Sequence, residues 1–438
     1  MADSPRIAVD PARPLVDERF AVRLAGFPPR RRVTVRARMP LDGALWEARA
    51  TVRTGDDGAA DLDAQRPLAG TYRRADAMGL VQSAERVGDR PASRERTRTD
   101  GNVSLTATLG GQRVASATVE RRFRREGVTV ERADHRDLVA RLYEPPAESA
   151  SGDGHYPGVV LLGGSGGGFP SRRVATLLAS RGYAVLALAY FGREDLPDRL
   201  VGVPLEYVER AVEWFADRER VRSDPLGVVG RSRGGELALL AATRFDRLRT
   251  AVGYAPSAVT FQGNRLLTDP GSAWTAGGED LPYVPLARPP GFRVRTVSRW
   301  VRGRPLPLRP LFERGLTGAD DARLRRATIP VEEIGGPLLL VTGDDDRVWP
   351  ADRLATRAMA RLDAREYPHP YDHLQVPGAG HDITVPYHPT TERATRSFPL
   401  PGRALSLDMG GTPAGYARAD ATAWEWTLAT LDRGLRHG

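Results

Sequence analysis

The first part of the chain alternates apolar and polar residues in short runs. Such runs occupy residues 20–24, 32–38 and 103–109, and glycine- and proline-containing turns such as 26–29 separate them. Period-two alternation of this kind predicts half-buried β-strands. Strands that follow one another without helical segments between them indicate a β-sandwich, which we expect to occupy residues 1–135.

The pattern changes after about residue 145, where continuous apolar runs replace the alternation. Apolar strands separated by helical segments indicate a parallel sheet covered on both faces, and hence an α/β domain over residues 136–438. The predicted strands are 158–162, 183–188, 226–230, 250–254 and 338–342, and the predicted helices between them include 171–180 and 205–218.

Length and composition narrow the class of protein. A chain of 438 residues with 41% hydrophobic and 27% charged residues is typical of a soluble globular protein with two or three domains. No stretch approaches the roughly 20 apolar residues of a membrane-spanning helix, so we expect no membrane insertion. The absence of cysteine excludes a disulfide framework, a thiolate zinc site and a cysteine nucleophile. Together these features favour a cytoplasmic enzyme.

The basic residues are unusual, because all 64 are arginine and none is lysine. Genomic base composition explains such a bias in general, whereas the guanidinium group also binds phosphates and carboxylates bidentately. The net charge is +9, but acidic residues are interspersed among the arginines and no nucleic-acid-binding module is recognisable. We therefore expect no nucleic acid among the partners.

The segment Gly230-Arg231-Ser232-Arg233-Gly234 has the G-x-S-x-G form of a serine nucleophile motif. A predicted strand leads into it, and a helix that begins with small residues follows it. This strand–turn–helix context is what a nucleophile elbow requires, since small neighbours allow a strained turn to expose the serine hydroxyl. Ser232 is therefore the candidate nucleophile.

A serine nucleophile needs a base and an orienting carboxylate, which in this fold class follow it in the order acid, then histidine. Three carboxylates, Asp344 to Asp346, directly follow the predicted strand 338–342. Asp346 is favoured because the acid of such loops stands three residues after the glycine, and Asp345 is the alternative. His381 lies beyond the acid, after a predicted strand and a glycine-rich turn, and is the candidate base.

The glycine-rich run 163–168 follows the first strongly apolar strand. It lacks the GK[ST] ending of a P-loop and the spacing of a dinucleotide-binding fingerprint. In a hydrolase it would supply one backbone N–H group of an oxyanion hole, from Gly164 or Ser165, and Arg233 would supply the other.

His369 and His373 have the spacing that would place two metal ligands on one face of a helix. Pro368 and Pro370 break any helix there, so we expect no metal ligands in this segment.

Taken together, these motifs resemble the type I acyl-CoA thioesterases and the related bile acid-CoA:amino acid N-acyltransferases. The resemblance extends over nearly the whole chain. The segments that carry it include Gly26–Pro29, Asp76–Leu80, Gly166–Gly168, Glu194–Pro197, Gly230–Leu237, Gly343–Asp346, Pro377–Ile383 and Gly410–Pro413.

The resemblance implies an α/β-hydrolase fold preceded by an immunoglobulin-like β-sandwich domain. It further implies a triad of Ser232, Asp346 and His381 that hydrolyses a small-molecule acyl-CoA thioester to free acid and CoA. Coenzyme A would enter as part of the substrate, with no separate cofactor. A serine nucleophile favours hydrolysis, because the N-acyltransferase branch tends to use cysteine.

Three other functions remain open at this stage. The first is an acyltransferase, or a carrier-protein thioesterase whose partner is an acyl carrier protein. The second is a carboxylesterase or dienelactone-type hydrolase, and the third is a non-enzymatic scaffold. Two departures from the family pattern bear on the choice. Arg231 stands where relatives usually carry an apolar residue. We expect residues 262–330, with Trp274, Trp300 and Arg302, to form a cap insertion over the acyl site.

Overall fold

One long strand illustrates how the alternating pattern builds a sheet. In the computed structural model, β3 (Arg32–Leu41) buries Val33 and Val35 and leaves Arg36 and Arg38 exposed, because successive side chains of a strand point to opposite faces. The structure describes residues 4–89, 101–152, 154–265, 268–398 and 404–436.

The described residues divide into two compact units. The first comprises Met1–Arg125, Val385–Arg393 and Thr412–Ala421, and the second comprises Glu126–Thr384, Ala394–Gly411 and Thr422–Gly438. Two late segments of the chain thus belong to the first unit, whereas the predicted second domain, 136–438, is continuous in sequence.

The first unit is built from antiparallel strands in two sheets. Among the residues described, one sheet has the order β1-β2-β5, and the other has the order β6-β4-β3-β8-β9, with β7 also paired to β4. Both sheets contribute to one apolar core, in which Val22 and Leu24 meet Val33, Val35 and Leu105, so the unit is a β-sandwich. Its remaining elements are β1 (Arg6–Asp10), β2 (Ala21–Ala25), β4 (Ala44–Arg53), β5 (Ala60–Asp61), β6 (Ala69–Gly70), α1 (Gly79–Gln82), β7 (Glu85–Asp89), β8 (Val103–Leu109) and β9 (Gln112–Val119).

The second unit contains a mixed sheet whose strands correspond to the predicted apolar runs. In the described part of the chain this sheet has eight strands, in the order β10-β11-β13-β12-β15-β16-β19-β20. The first two are antiparallel to their neighbours, and the other six are parallel. The strands are β10 (Thr129–Arg132), β11 (Ala140–Glu144), β12 (Tyr156–Leu162), β13 (Ala184–Leu188), β15 (Val221–Arg231), β16 (Leu248–Tyr254), β19 (Leu338–Gly343) and β20 (Tyr371–Val376).

Helices connect the strands of this sheet, and every residue of β12 and β13 is buried. Complete burial is what strands covered on both faces require. The connecting helices are α2 (Arg172–Ser180), α3 (Leu205–Ala216), α4 (Arg233–Ala242) and α8 (Ala351–Ala364). Helix α9 (Pro413–Leu435) follows the last strand of the sheet, and its residues up to Ala421 belong to the first unit. Short strands occur at β14 (Val203–Pro204), β21 (Thr395–Phe398) and β22 (Leu405–Asp408).

A long insertion separates β16 from β19, although these two strands are neighbours in the sheet. It contains β17 (Trp274–Ala276), β18 (Glu279–Asp280), α5 (Phe292–Val301), α6 (Arg309–Gly318) and α7 (Asp321–Ala327). Apolar residues of the insertion, including Phe292 and Phe312, share a core with Trp349 on the loop after β19. The insertion is therefore packed against a loop that follows the sheet.

The fold class predicted from the sequence, an α/β-hydrolase preceded by a β-sandwich, is confirmed. The largest difference in a strand boundary is β15, which begins five residues before the predicted start at residue 226. None of the helices described combines the length and the apolar content that crossing a bilayer requires.

Candidate active site

The parallel strands place the candidate catalytic residues along one edge of the sheet. Ser232 follows the end of β15, Asp346 follows β19, and His381 follows β20. Because the carboxyl ends of parallel strands meet at the same edge, residues distant in sequence come together there.

Ser232 sits at a sharp turn between β15 and α4, with φ 56° and ψ −122°. A positive φ is uncommon for a residue with a side chain and indicates local backbone strain. Glycine is required on either side of this turn. A Cβ atom on Gly230 would lie 2.0 Å from Gly234 O, and one on Gly234 would lie 2.1 Å from Gly163 O. The two glycines of the motif therefore permit the close backbone approach that creates the elbow.

The structure brings Ser232, His381 and Asp346 into one hydrogen-bonded chain. His381 Nε2 lies 2.9 Å from Ser232 Oγ, and His381 Nδ1 lies 2.7 Å from Asp346 Oδ2. All three residues are buried. Since an ionised carboxylate only accepts hydrogen bonds, Nδ1 carries the proton in this arrangement and Nε2 is the acceptor that faces the serine hydroxyl.

The three adjacent carboxylates have different partners. Asp346 Oδ1 accepts hydrogen bonds from the N–H groups of Val348 (2.8 Å) and Trp349 (3.2 Å), so its other oxygen is directed to His381. Asp345 instead binds the half-exposed Arg347, and Asp344 accepts a hydrogen bond from Gly378 N. Of the two candidates for the orienting acid, the geometry thus favours Asp346 over Asp345.

Trp349 is a neighbour of His381 that sequence reasoning missed. Its ring stands edge-on to the imidazole, with 6.0 Å between the ring centroids, and its indole N–H donates to Ala255 O at 3.0 Å. The backbone N–H of His381 donates to Met409 O at 2.9 Å. Trp349 lies only three residues after Asp346, and this closeness in sequence could have indicated a residue that packs on His381.

The three residues predicted to form the oxyanion hole lie on the two segments next to Ser232. Arg233 is the first residue of α4, whose first hydrogen bonds run from Gly235 N and Glu236 N to Ser232 O, so the helix provides no acceptor for the Arg233 N–H. Gly164 lies against the nucleophile, since a Cβ atom there would be 3.3 Å from Ser232 Cβ. Ser165 follows it, and its carbonyl accepts a hydrogen bond from Asn264 at 3.5 Å.

A buried ion pair that the sequence did not reveal lies in the first turn of α4, directly after Ser232. The Arg233 guanidinium donates to Glu236 Oε2 at 2.8 Å, and both side chains are buried. Glu236 Oε1 accepts from the indole N–H of Trp274 at 2.6 Å, and Arg233 also donates to the carbonyls of Phe261 and Gln262 at 3.2 Å. The network therefore joins the first turn of α4 to the beginning of the insertion.

Burial governs the titration of this pair. Removal from water raises the pKa of Glu236 to about 7, although the neighbouring Arg233 cation and the Trp274 hydrogen bond act in the opposite direction. The same desolvation lowers the pKa of Arg233. Nearby, Tyr190 donates to Gly163 O at 2.5 Å, and burial raises the pKa of its hydroxyl.

A second ion pair involves the residue that precedes Ser232 in the sequence. Arg231, the residue before Ser232, binds Asp382, the residue after His381, and both side chains are partly exposed. Arg231 is thus not an isolated charge beside the nucleophile. The pair connects the residue before the nucleophile with the residue after the base.

The two histidines considered as metal ligands lie apart from this site. His373 is on β20, where its Nε2 lies 2.8 Å from Thr342 Oγ1, and the ring of His369 stacks edge-on against Tyr367. Among the residues that the structure describes, no group of three or more histidine, cysteine or carboxylate side chains is arranged to hold a metal ion.

Comparison with known proteins identifies the family. Residues 203–437 match the family model described as BAAT / Acyl-CoA thioester hydrolase C terminal, and residues 17–134 match the Acyl-CoA thioester hydrolase/BAAT N-terminal region. These matches cover both the segment with the proposed triad and the β-sandwich.

Curated relatives align along nearly the whole chain. Acyl-coenzyme A thioesterase 3 of Mus musculus is 31% identical over 96% of this chain and 92% of its own length. Acyl-coenzyme A thioesterase 6 of the same species is 33% identical over 96% and 94%. The mouse peroxisomal succinyl-coenzyme A thioesterase is 29% identical over 98% and 96%. The chain therefore belongs to the BAAT / acyl-CoA thioester hydrolase family.

Proposed function

We propose that this protein is an acyl-CoA thioesterase that hydrolyses an acyl-CoA thioester to a free acid and CoA through a seryl-acyl intermediate. The observation that carries the proposal is the hydrogen-bonded chain from Ser232 through His381 to Asp346, with distances of 2.9 and 2.7 Å. Membership of the family, and the names of the relatives, support a thioester as the substrate.

In the first half of the reaction, His381 Nε2 accepts the proton of Ser232 Oγ as the oxygen attacks the thioester carbonyl. Asp346 orients the imidazole and stabilises the cation that forms on it. The N–H groups of Arg233 and of Gly164 or Ser165 are the proposed donors to the developing oxyanion. The tetrahedral intermediate then collapses, His381 returns the proton to sulfur, and CoA leaves as the thiol.

The second half repeats these steps with water. His381 removes a proton from a water molecule, which attacks the seryl ester, and the acid leaves as Ser232 regains its proton. In this scheme CoA takes part only as a portion of the substrate, and no separate cofactor is required.

We further propose that residues 1–135 and 136–438 are the two domains and that residues 262–330 form a cap over the acyl group.

Transfer to another acceptor and a carrier-protein-bound donor are treated as alternatives to be tested. A cysteine-free active site supports water as the acceptor, because a seryl ester yields more readily to water than to an amine.

The proposed compartment is the cytoplasm, although two of the relatives are named as peroxisomal and mitochondrial thioesterases.

The test is an assay of the full chain against a panel of acyl-CoA thioesters, with free thiol as the readout. Ser232→Ala should reduce turnover by about 10⁴–10⁶-fold, because the nucleophile is lost. Ser223→Ala is the matched control, since Ser223 is an exposed serine near the opposite end of the same strand, β15.

Each alternative has its own signature in the same assay. An acyl-amine or acyl-alcohol product formed at the expense of free acid would contradict hydrolysis as the main reaction. Faster cleavage of simple esters than of thioesters would indicate a carboxylesterase, and preference for acyl carrier protein over CoA would change the donor. Equal activities of wild type and Ser232→Ala would reject the serine mechanism.

A further inference from the structure

Helix α5 in the insertion presents apolar side chains to solvent. Val294, Val297 and Val301 are 74%, 59% and 60% exposed. With about 3.6 residues per turn, these positions fall on one stripe of the helix. Phe292, on the opposite side, is buried and attaches the helix to the core of the insertion. The helix is therefore anchored by one face and leaves an aliphatic stripe uncovered.

Arginines border this stripe on both sides. The same helical geometry places Arg293 and Trp300 along one border and Arg295 and Arg302 along the other. Within the chain as described, no carboxylate lies within ion-pair distance of any of these three arginines. The charge extends beyond the helix, because the sequence between Asp280 and Glu313 contains seven arginines and no acidic residue.

The charge of the surface limits what can bind to it. A second copy of the same chain would bring another set of arginines against this set, so self-association through α5 is opposed by electrostatic repulsion. The apolar stripe needs an apolar phase, and the arginines need anions beside that phase. An anionic lipid bilayer provides both at the depths where an interfacial helix requires them.

Shape favours a bilayer over an acidic protein as the partner. The three valines project from a convex helix, and a protein partner would need a complementary groove to cover them. Lipid chains rearrange around a ridge of small aliphatic side chains without such a groove. A tryptophan at the border, Trp300, is typical of helices that lie at the headgroup level.

We propose that α5 is an interfacial helix through which this protein binds to the surface of membranes that contain anionic lipids. The valines enter the boundary between headgroups and acyl chains, and the flanking arginines contact lipid phosphates. Binding of this kind is reversible, because a single short helix with three valines buries little apolar area.

The experiment measures co-sedimentation of the full chain with vesicles of phosphatidylcholine containing phosphatidylglycerol, compared with vesicles of phosphatidylcholine alone. Binding should require the anionic lipid and should weaken as salt is raised, since salt screens the arginines. Arg295→Gln combined with Arg302→Gln should reduce partitioning by about 25-fold, because each arginine near an anionic surface contributes about fivefold. Replacing Val294, Val297 and Val301 by serine should reduce it at least about tenfold.

A matched control removes two exposed arginines from the same insertion without touching the stripe. Arg325 and Arg326 lie at the end of α7 and are exposed. The double change to glutamine should leave vesicle binding within about twofold of wild type, since these residues border no apolar stripe. Circular dichroism and turnover of a short-chain, water-soluble thioester check that all variants fold.

Three outcomes would overturn the proposal. The first is equal sedimentation with neutral and anionic vesicles. The second is an equal loss of binding in the α7 control, which would indicate attraction by net charge alone. The third is the absence of vesicle binding together with α5-dependent binding to an acidic acyl carrier protein, which would make a protein the partner of this surface.

Discussion

Two arginines flank the proposed nucleophile, and their surroundings differ completely. Arg233, after Ser232, is 3% exposed and binds Glu236, which is fully buried. Arg231, before Ser232, is 31% exposed and binds Asp382, which is 27% exposed. Arg233 is therefore part of the core. Arg231, the same type of side chain, is part of the solvent-accessible surface.

The comparison indicates different physical roles for the two ion pairs. Breaking a buried pair leaves an uncompensated charge in a medium of low dielectric constant, so the cost appears in stability. A partly exposed pair contributes little to stability because water and salt screen it. If the Arg231 pair matters, it must act by positioning Ser232 and His381, the residues next to its two members.

The largest expected effect is a loss of stability on breaking the buried Arg233–Glu236 ion pair. At about pH 8, above the pKa of Glu236, Arg233→Met should lower the free energy of unfolding by about 3–5 kcal/mol, because Glu236 is left buried without its cation and must either keep its charge or take up a proton at that pH. Urea denaturation, with the midpoint and the slope fitted separately, measures this loss. The backbone N–H of residue 233 is retained in this variant, so residual activity reports on the oxyanion donor.

A second substitution separates the pair from the individual charge. Arg233→Met combined with Glu236→Gln removes both charges and should recover much of the lost stability, because no buried ion remains. A single Arg233→Met that loses less than about 0.5 kcal/mol would show that the buried pair contributes no more than a surface pair.

The pH dependence of stability tests the same pair. Burial raises the pKa of Glu236 from its ordinary value of 4.5 to about 7. Between those values the folded protein holds a proton that the unfolded chain has released. The stability contributed by this group is therefore fully present below about pH 4.5 and is lost as the pH rises towards about 7.

Glu236→Gln provides the reference for that measurement, because it keeps an acceptor for the Trp274 indole and cannot titrate. The difference in unfolding free energy, wild type minus Glu236→Gln, should decrease from about pH 5 to pH 8. A difference that stays constant or increases over this range would contradict a raised pKa.

The fold was predictable from the sequence because its signals are local. The alternation in β3 indicates a strand with one buried face. The continuous apolar runs of β12 and β13 indicate strands buried on both faces. The G-x-S-x-G segment was equally readable as a sharp turn, because two glycines mark it in the sequence. Gly230 is required by the approach of Gly234 O within the turn, and Gly234 by the approach of Gly163 O from the loop after β12. The proposal of Ser232 and His381 as catalytic residues came from local motifs and chain order, and the structure places the two side chains 2.9 Å apart.

The remaining features depend on contacts between distant segments. Glu236 looks like an ordinary helix residue in the sequence, and only the fold brings Trp274 and Arg233 to it. Asp382 meets Arg231 across 151 positions of the chain. The preference for Asp346 over Asp345 likewise depends on which carboxylate reaches His381, and the sequence alone offered only loop spacing.

The Arg231–Asp382 pair is expected to affect catalysis more than stability. Arg231→Gln and Asp382→Asn should each lower kcat about tenfold, because small displacements of Ser232 and His381 disturb proton transfer. Unfolding free energies should change by less than about 1 kcal/mol. Steady-state kinetics with acyl-CoA, together with urea denaturation, measure both quantities.

The double variant distinguishes positioning from binding of the substrate. If the pair acts as a unit, the double variant should be no slower than either single variant, and Arg231→Lys should restore part of kcat. If Arg231 instead attracts the phosphates of CoA, Arg231→Gln alone should raise KM, and Asp382→Asn should lower it. That pattern would reject the positioning role.

The smallest effect is expected from the Arg249–Asp224 ion pair, which joins β15 and β16 far from the end of β15 that carries Arg231. Arg249 on β16 binds Asp224 on β15 at 2.8 Å, and the two side chains are 49% and 39% exposed. These residues precede the catalytic edge, whereas Arg231 ends the same strand β15. Arg249→Gln should change the unfolding free energy by at most about 0.5 kcal/mol and should leave kcat unaltered. A tenfold loss of kcat in Arg249→Gln would mean that loosening the contact between β15 and β16 at any point disturbs Ser232. The effect of Arg231→Gln could then not be attributed to the position of Arg231 beside Ser232.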